Sequence, residues 1–184
     1  MNSSHTSQFR SYGLDLSLMK DDRLKALYTY WMTLHTGPTL PSRRQIDPLR
    51  FPEGLIGYVS LFDVINDGNS GYRMIFRIAG SISYGHNVIL KNVSGRELHE
   101  VLTPEEASLT ARDLLLVIKT RSPVAATGVS FPFKHGSKPW EAIGLPLSSN
   151  GEMVDALLTA RVPITEQVSI GTIRMTRLSC GGNA

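Results

Sequence analysis

A strand–turn–strand run at Tyr58–Gly80 limits the folds open to this chain. "YVSLFDVI" and "GYRMIFRIAG" both read as strands, and "NDGNSG" between them holds Asp67-Gly68, a strong hairpin signal. Tyr72, Met74, Phe76 and Ile78 fall on one face of the second strand, with Arg73, Ile75 and Arg77 on the other. Three more strand-like segments follow late in the chain: "PVAATGVSFPF", "PWEAIGLPLS" and "MVDALLTARVPI", the last two joined by the turn-forming "SSNGE". Between the two groups lies "TPEEASLTARDLLLVIKTR". There Thr103 caps a helix, Pro104 takes its first position and acidic residues fill its first turn. Before the first strand, "KDDRLKALYTYWMTLHTG" carries Leu24, Leu27, Tyr28, Trp31, Met32 and His35 at helical spacing. Asp21 or Asp22 caps that helix and Gly37-Pro38 ends it. Asp47 before Pro48 starts a further short helical turn over Pro48–Leu55. Two strands, a helical middle and three strands predict an α+β fold, an antiparallel sheet with helices on one face and room for a pocket between the layers.

The chain has 184 residues, which suggests a single domain over 21–164, a flexible N-terminal lead over 1–20 and a tail over 165–184. With 41% hydrophobic and 19% charged residues it can build a core and is not disordered by composition. The longest apolar run, "LLLVI" at Leu114–Ile118, falls far short of the ~20 residues that cross a bilayer. "MNSSHTSQFRSYG" has no apolar stretch behind its basic residue and does not read as a secretory signal. Cys180 is the single cysteine, so no intrachain disulfide forms and a cytoplasmic location is expected. The net charge of +3 is spread over Arg43/Arg44, Arg73/Arg77, Arg161 and Arg174/Arg177. That spread lacks the dense basic cluster of a nucleic-acid binder. The stripe of Leu24, Leu27, Tyr28 and Trp31 needs a partner, either the domain's own sheet or the same helix of a second copy; a homodimer is the expectation.

Several stretches in this order carry a resemblance: "YWMTL" (Tyr30–Leu34), "LPSRRQIDP" (Leu40–Pro48), "SLFDV" (Ser60–Val64), "YRMIFRIAGS" (Tyr72–Ser81), "YGHNV" (Tyr84–Val88), "SGREL" (Ser94–Leu98) and "GLPLSSNGEMVDALL" (Gly144–Leu158). Over about Leu24 to Val162 the chain resembles a PAS-like family of stand-alone bacterial regulatory proteins, the fifth PAS subfamily. It departs from the family's usual "GT" and "FGRDLTG" with Gly80-Ser81 and "YGHNVILKNVSG", which inserts a few residues beside the expected pocket. The resemblance implies a PAS-like five-stranded antiparallel sheet. It also implies a sensory or regulatory role in bacterial signal transduction, through a small molecule or a protein partner.

Under that resemblance the pocket is expected to draw on Arg77, Tyr84, His86, Phe131 and Trp140. A flavin–thiol photosensor needs a cysteine in the helical middle, and Cys180 lies in the tail, which argues against it. Haem needs an axial histidine, for which His86 and His99 stand as candidates; each reads more simply as a polar loop or solvent-facing residue. His5, His35, His86, His99 and His135 are scattered, with no HExxH or cysteine pair, so no metal site is expected. Arg73 and Arg77 could hold a carboxylate or phosphate, and the plainer alternative pairs Arg77 with Asp63 on the neighbouring strand. Trp140 and Phe131 could wall the pocket or belong to the core. No nucleophile elbow, phosphate loop or dinucleotide fingerprint occurs. Ser17-Leu18-Met19-Lys20 fits a Ser-x-x-Lys spacing but precedes the domain. The enzyme alternative is a small curved-sheet isomerase using Asp63 or Asp155 as its base. A third reading is a ligand-free interaction module with a filled core. The leading expectation is a non-catalytic sensor whose ligand the sequence does not name.

Overall fold

Strand pairing begins where the turn chemistry places it. In a computed structural model of the chain, which describes residues 10–13, 19–68, 71–82, 93–133 and 136–164 (backbone alone at 10–13, 129–133 and 136–138), β2 (Val59–Asn66) and β3 (Tyr72–Ile78) form an antiparallel hairpin. Its register runs from Asn66 opposite Tyr72 to Phe62 opposite Phe76, then slips by one residue so that Leu61 faces Ile78. This bulge turns Ile78 away from the face of Met74 and Phe76, where simple alternation puts it.

The remaining strands are β1 (Arg10–Gly13), β4 (Val124–Phe133), β5 (Gly136–Leu147) and β6 (Ala156–Pro163), and the sheet order is β1-β4-β5-β6-β2-β3. The expected five-stranded antiparallel sheet is therefore present as β2 to β6. A sixth strand, β1 (Arg10–Gly13), comes from the segment read as a flexible lead and pairs along β4 from Arg10–Thr127 to Gly13–Val124. A four-residue strand is too short to leave a periodicity in the sequence.

Both faces of the sheet are apolar. On one, Phe62, Phe76, Val124 and Leu157 pack against α2 (Leu98–Val101) and α3 (Pro104–Thr120) through Leu98, Leu114, Val117 and Ile118. Gly144 lets α3 settle there, because a Cβ at that position would stand 2.9 Å from Val117 Cγ2. On the other face, Ile143, Leu145, Ala156, Leu158, Ala160 and Val162 meet α1 (Asp22–Thr33) through Leu24, Leu27 and Trp31. The helical middle thus shares one face, as expected, while the N-terminal helix covers the opposite one. Leu24 and Leu27 are fully buried, Trp31 is nearly so and Tyr28 is half-buried. Of the two partners open to the stripe, the chain's own sheet is the one that buries Leu24, Leu27 and Trp31.

The start of α1 is capped as its sequence indicates. Asp21 Oδ1 accepts from the backbone N–H of Arg23 at 2.9 Å, and the Arg23 guanidinium donates to both carboxylate oxygens, at 3.1 and 2.7 Å. Burial pulls the Asp21 pKa upward, but the Arg23 side chain and the backbone N–H groups of Arg23 and Leu24 outweigh it, so it lies below its ordinary 3.8. A carboxyl group with a depressed folded pKa stabilises fully above its unfolded value, about 4, and loses that contribution as pH falls through the folded value. Asp21→Ala is expected to cost about 1 kcal/mol at pH 7 by urea denaturation, and the difference from the parent to shrink as pH falls below the unfolded value of about 4.

Candidate functional site

Between α1 and β2 the chain makes three 3₁₀ turns, Arg43–Gln45, Pro48–Arg50 and Ile56–Tyr58. The Asp47-Pro48 pair behaves as its sequence says: Asp47 Oδ1 accepts from Leu49 N–H at 3.0 Å and proline takes the first position, although the turn ends at Arg50 rather than Leu55. Side-chain contacts tie this segment to α1. The Asp47 N–H donates to the Tyr30 hydroxyl at 2.7 Å, and Gln45 Nε2 donates to the Leu34 carbonyl at 2.9 Å. Tyr30 and Phe51 meet edge to face, with ring centres 5.8 Å apart.

Held this way, the segment arches over the sheet and leaves a cleft of about 210 Å³ against β2, β3 and β6. Val59 and Leu158 form its buried floor, while Ile46, Phe51 and Leu61 are half-buried in its walls. Arg43, Ile56 and Ile78 also line it, and the two isoleucines are 62% and 56% exposed, so part of its apolar lining is open to solvent. Beside them Ile82 is 50% exposed and donates its N–H to the Gly57 carbonyl at 2.8 Å.

The charged edge of the cleft is built on Asp63. Its Oδ1 accepts from Arg43 Nη1 at 2.6 Å, and its Oδ2 accepts from Arg77 Nε. One carboxylate between two guanidinium groups leaves that edge with a net positive charge. Both arginine side chains are about half exposed, 48% and 54%, so they remain accessible to solutes.

Of the residues expected to share a pocket, the two whose side chains are described, Arg77 and Trp140, lie on opposite faces of the sheet. Arg77 reaches Asp63 on the α1 side of the sheet, whereas Trp140 is buried on the α3 side, with the Arg161 guanidinium 4.2 Å over its ring. The sheet separates them. Phe131 lies in β4, and its side chain is outside the described residues, as are Tyr84, His86, His5, His135 and Cys180. Under α3 the Phe62 and Phe76 ring centres stand 4.5 Å apart, in one apolar cluster with Leu157 and Val117. Arg73 pairs with Glu97, Nε to Oε1 at 2.6 Å, and His99 is 70% exposed beside the same glutamate. His35 packs its ring against Trp31, centres 4.2 Å apart. Asp155 Oδ2 accepts from the N–H of Ser149 at 3.0 Å and from the Ser149 hydroxyl, closing the β5–β6 turn. Both carboxylates considered as catalytic bases are thus engaged in structural contacts. Among the described residues no group of three or more His, Cys, Asp or Glu side chains is placed to hold a metal, and no helix is long and apolar enough to cross a membrane.

A five-stranded antiparallel core with helices crossing one face between its second and third strands is a PAS-like fold. A PAS-domain family model matches residues 19–160, and the chain belongs to that family. Two solved structures are similar to part of the chain. One is an RNA-binding light-oxygen-voltage receptor, 15% identical, with a TM-score of 0.38, covering 63% of this chain and 32% of its own. The other is the PAS domain of a protein from Colwellia psychrerythraea, 14% identical, with a TM-score of 0.37, covering 58% of this chain and 86% of its own. The match therefore spans about a third of the receptor's length. No curated protein matches the sequence.

Proposed function

We propose that this PAS domain is a non-catalytic sensor for bacterial signal transduction, and that it recognises a small molecule in the cleft under the 3₁₀ segment. Membership of the PAS family supports a sensory or regulatory role in general. The observation that carries the site is the cleft itself: an apolar floor of Val59 and Leu158 open to solvent beside an accessible pair of arginines. The engagement of Asp63 by Arg43 and Arg77, and of Asp155 by Ser149, favours recognition over acid–base chemistry. A filled cleft buries Ile56 and Ile78, and the altered surface beside Ile82 is what a protein partner reads. Native mass spectrometry tests the proposal. The folded chain is expected to carry a mass increment that disappears on denaturation and in Leu61→Trp, which fills the cleft. A bare native mass for the parent chain would count against it.

A further inference from the structure

We infer that the cleft selects a monocarboxylate with a compact apolar body, of about the size of phenylacetate; the inference rests on the cleft being the recognition site. Size comes first. An apolar cavity of about 150 Å³ holds one benzene ring, so a cleft of about 210 Å³ takes a ring or a short branched chain with a few atoms to spare. Its lining of Ile46, Phe51, Val59, Leu61 and Leu158 offers the body no polar partner. Any charge on the ligand must sit at the rim.

The rim decides the sign of that charge. Arg43 and Arg77 contribute two positive charges and Asp63 one negative, so a single anionic group brings the cluster to neutrality. Asp63 engages Nη1 of Arg43 and Nε of Arg77, while each guanidinium has five N–H donors in a planar fork. A carboxylate matches that fork with two parallel acceptors. A cationic ligand meets repulsion at the same place, and a neutral one forgoes the charge-assisted bonds. Arg43 lines the cleft and is therefore the residue that joins the apolar body to its head group.

The inference is tested on the whole chain carrying ¹³C-labelled isoleucine methyl groups, titrated with phenylacetate, its neutral isostere phenylacetamide and the cationic phenethylamine. Ile46, Ile56 and Ile78 report the cleft; Ile65, Ile118 and Ile143 lie outside its lining and serve as references. Phenylacetate is expected to move the cleft methyls saturably and to bind on the order of fivefold more tightly than the amide, as a half-exposed ion pair allows. Arg43→Gln removes that preference without removing amide binding, and Asp63→Asn strengthens phenylacetate binding by releasing both arginines. Equal binding of all three probes, or weaker phenylacetate binding in Asp63→Asn, overturns the carboxylate assignment and leaves the cleft as a recognition site. Cleft methyls that respond to none of the probes, or shifts confined to the reference methyls, overturn the assignment and the small-molecule reading together, and hand the cleft to a macromolecular occupant.

Discussion

Trp31→Ala is expected to lower the unfolding free energy by about 4 kcal/mol. Trp31 is only 3% exposed, and it packs in the core formed by α1 and the sheet face of Ile143, Leu145, Leu158 and Ala160. Truncation removes a large apolar surface from that layer and opens a cavity bounded by strands that cannot collapse into it. It also breaks the hydrogen bond from Trp31 Nε1 to the Pro146 carbonyl, 3.0 Å long and buried. Trp31→Phe separates these parts: it keeps most of the packing, loses the N–H and should cost roughly 1.5 kcal/mol. Trp31→Glu buries an unpaired charge and should leave little folded protein. Urea denaturation with constant m-values measures all three. If Trp31→Ala folds within 1 kcal/mol of the parent and instead changes an oligomeric equilibrium, the α1 stripe is an interface between copies and its docking on the sheet is wrong.

That experiment bears on what a sequence reveals and what it hides. The stripe of Leu24, Leu27 and Trp31 is plain from its spacing, because a helix repeats every 3.6 residues. Its partner is not, since burial against a sheet and burial against a second helix demand the same side chains. The strands were legible for a similar reason, and Thr103, Pro104 and the acidic first turn marked the start of α3. Which sheet face was which could not be read. β6 buries five residues in succession, Ala156 to Ala160, because helices cover both faces, so no alternation distinguishes an inner from an outer side. Arg77 and Trp140 were therefore assigned to one pocket although the sheet divides them. The pairing of Arg77 with Asp63 was legible as an alternative, because adjacent antiparallel strands bring such residues within reach. The cleft was not. Ile46, Leu61, Ile78 and Leu158 are distant in sequence and chemically ordinary, and the bulge opposite Leu61 is what swings Ile78 into the group. The one local signal was the Asp47-Pro48 turn, which announces a fixed lead-in to the sheet without saying what lies beneath it.

The second large effect is expected at Glu141, where an apolar layer holds a carboxyl group that is 2% exposed. Its two oxygens accept from the backbone N–H of Lys20, at 2.9 and 3.1 Å, and of Asp21, at 2.9 Å. These are donors at the entrance to α1, where no helical carbonyl is available to take them. Glu141 and Pro146 both belong to β5, and five strand residues span roughly 17 Å, close to the roughly 15 Å that a helix covers over the ten residues between Asp21 and Trp31. The helix is thus bolted to one strand at both ends, by Glu141 at its start and by the Trp31–Pro146 bond near its end. Because the partners of Glu141 are backbone groups, no substitution can remove both sides of the interaction, and an apolar replacement strands two N–H donors under the helix. Glu141→Ala and Glu141→Leu should each cost about 3 kcal/mol, despite the good fit of leucine to its neighbours. Glu141→Gln keeps one acceptor oxygen and should cost about half as much. Amide hydrogen exchange locates the loss: in Glu141→Gln the protection of Leu24 to Trp31 should fall while that of β2 and β6 holds, since α1 opens before the sheet does. A uniform fall across both would mean that α1 and the sheet unfold as a single unit, and stabilities within 0.5 kcal/mol of the parent for all three variants would show that water replaces the carboxylate without loss.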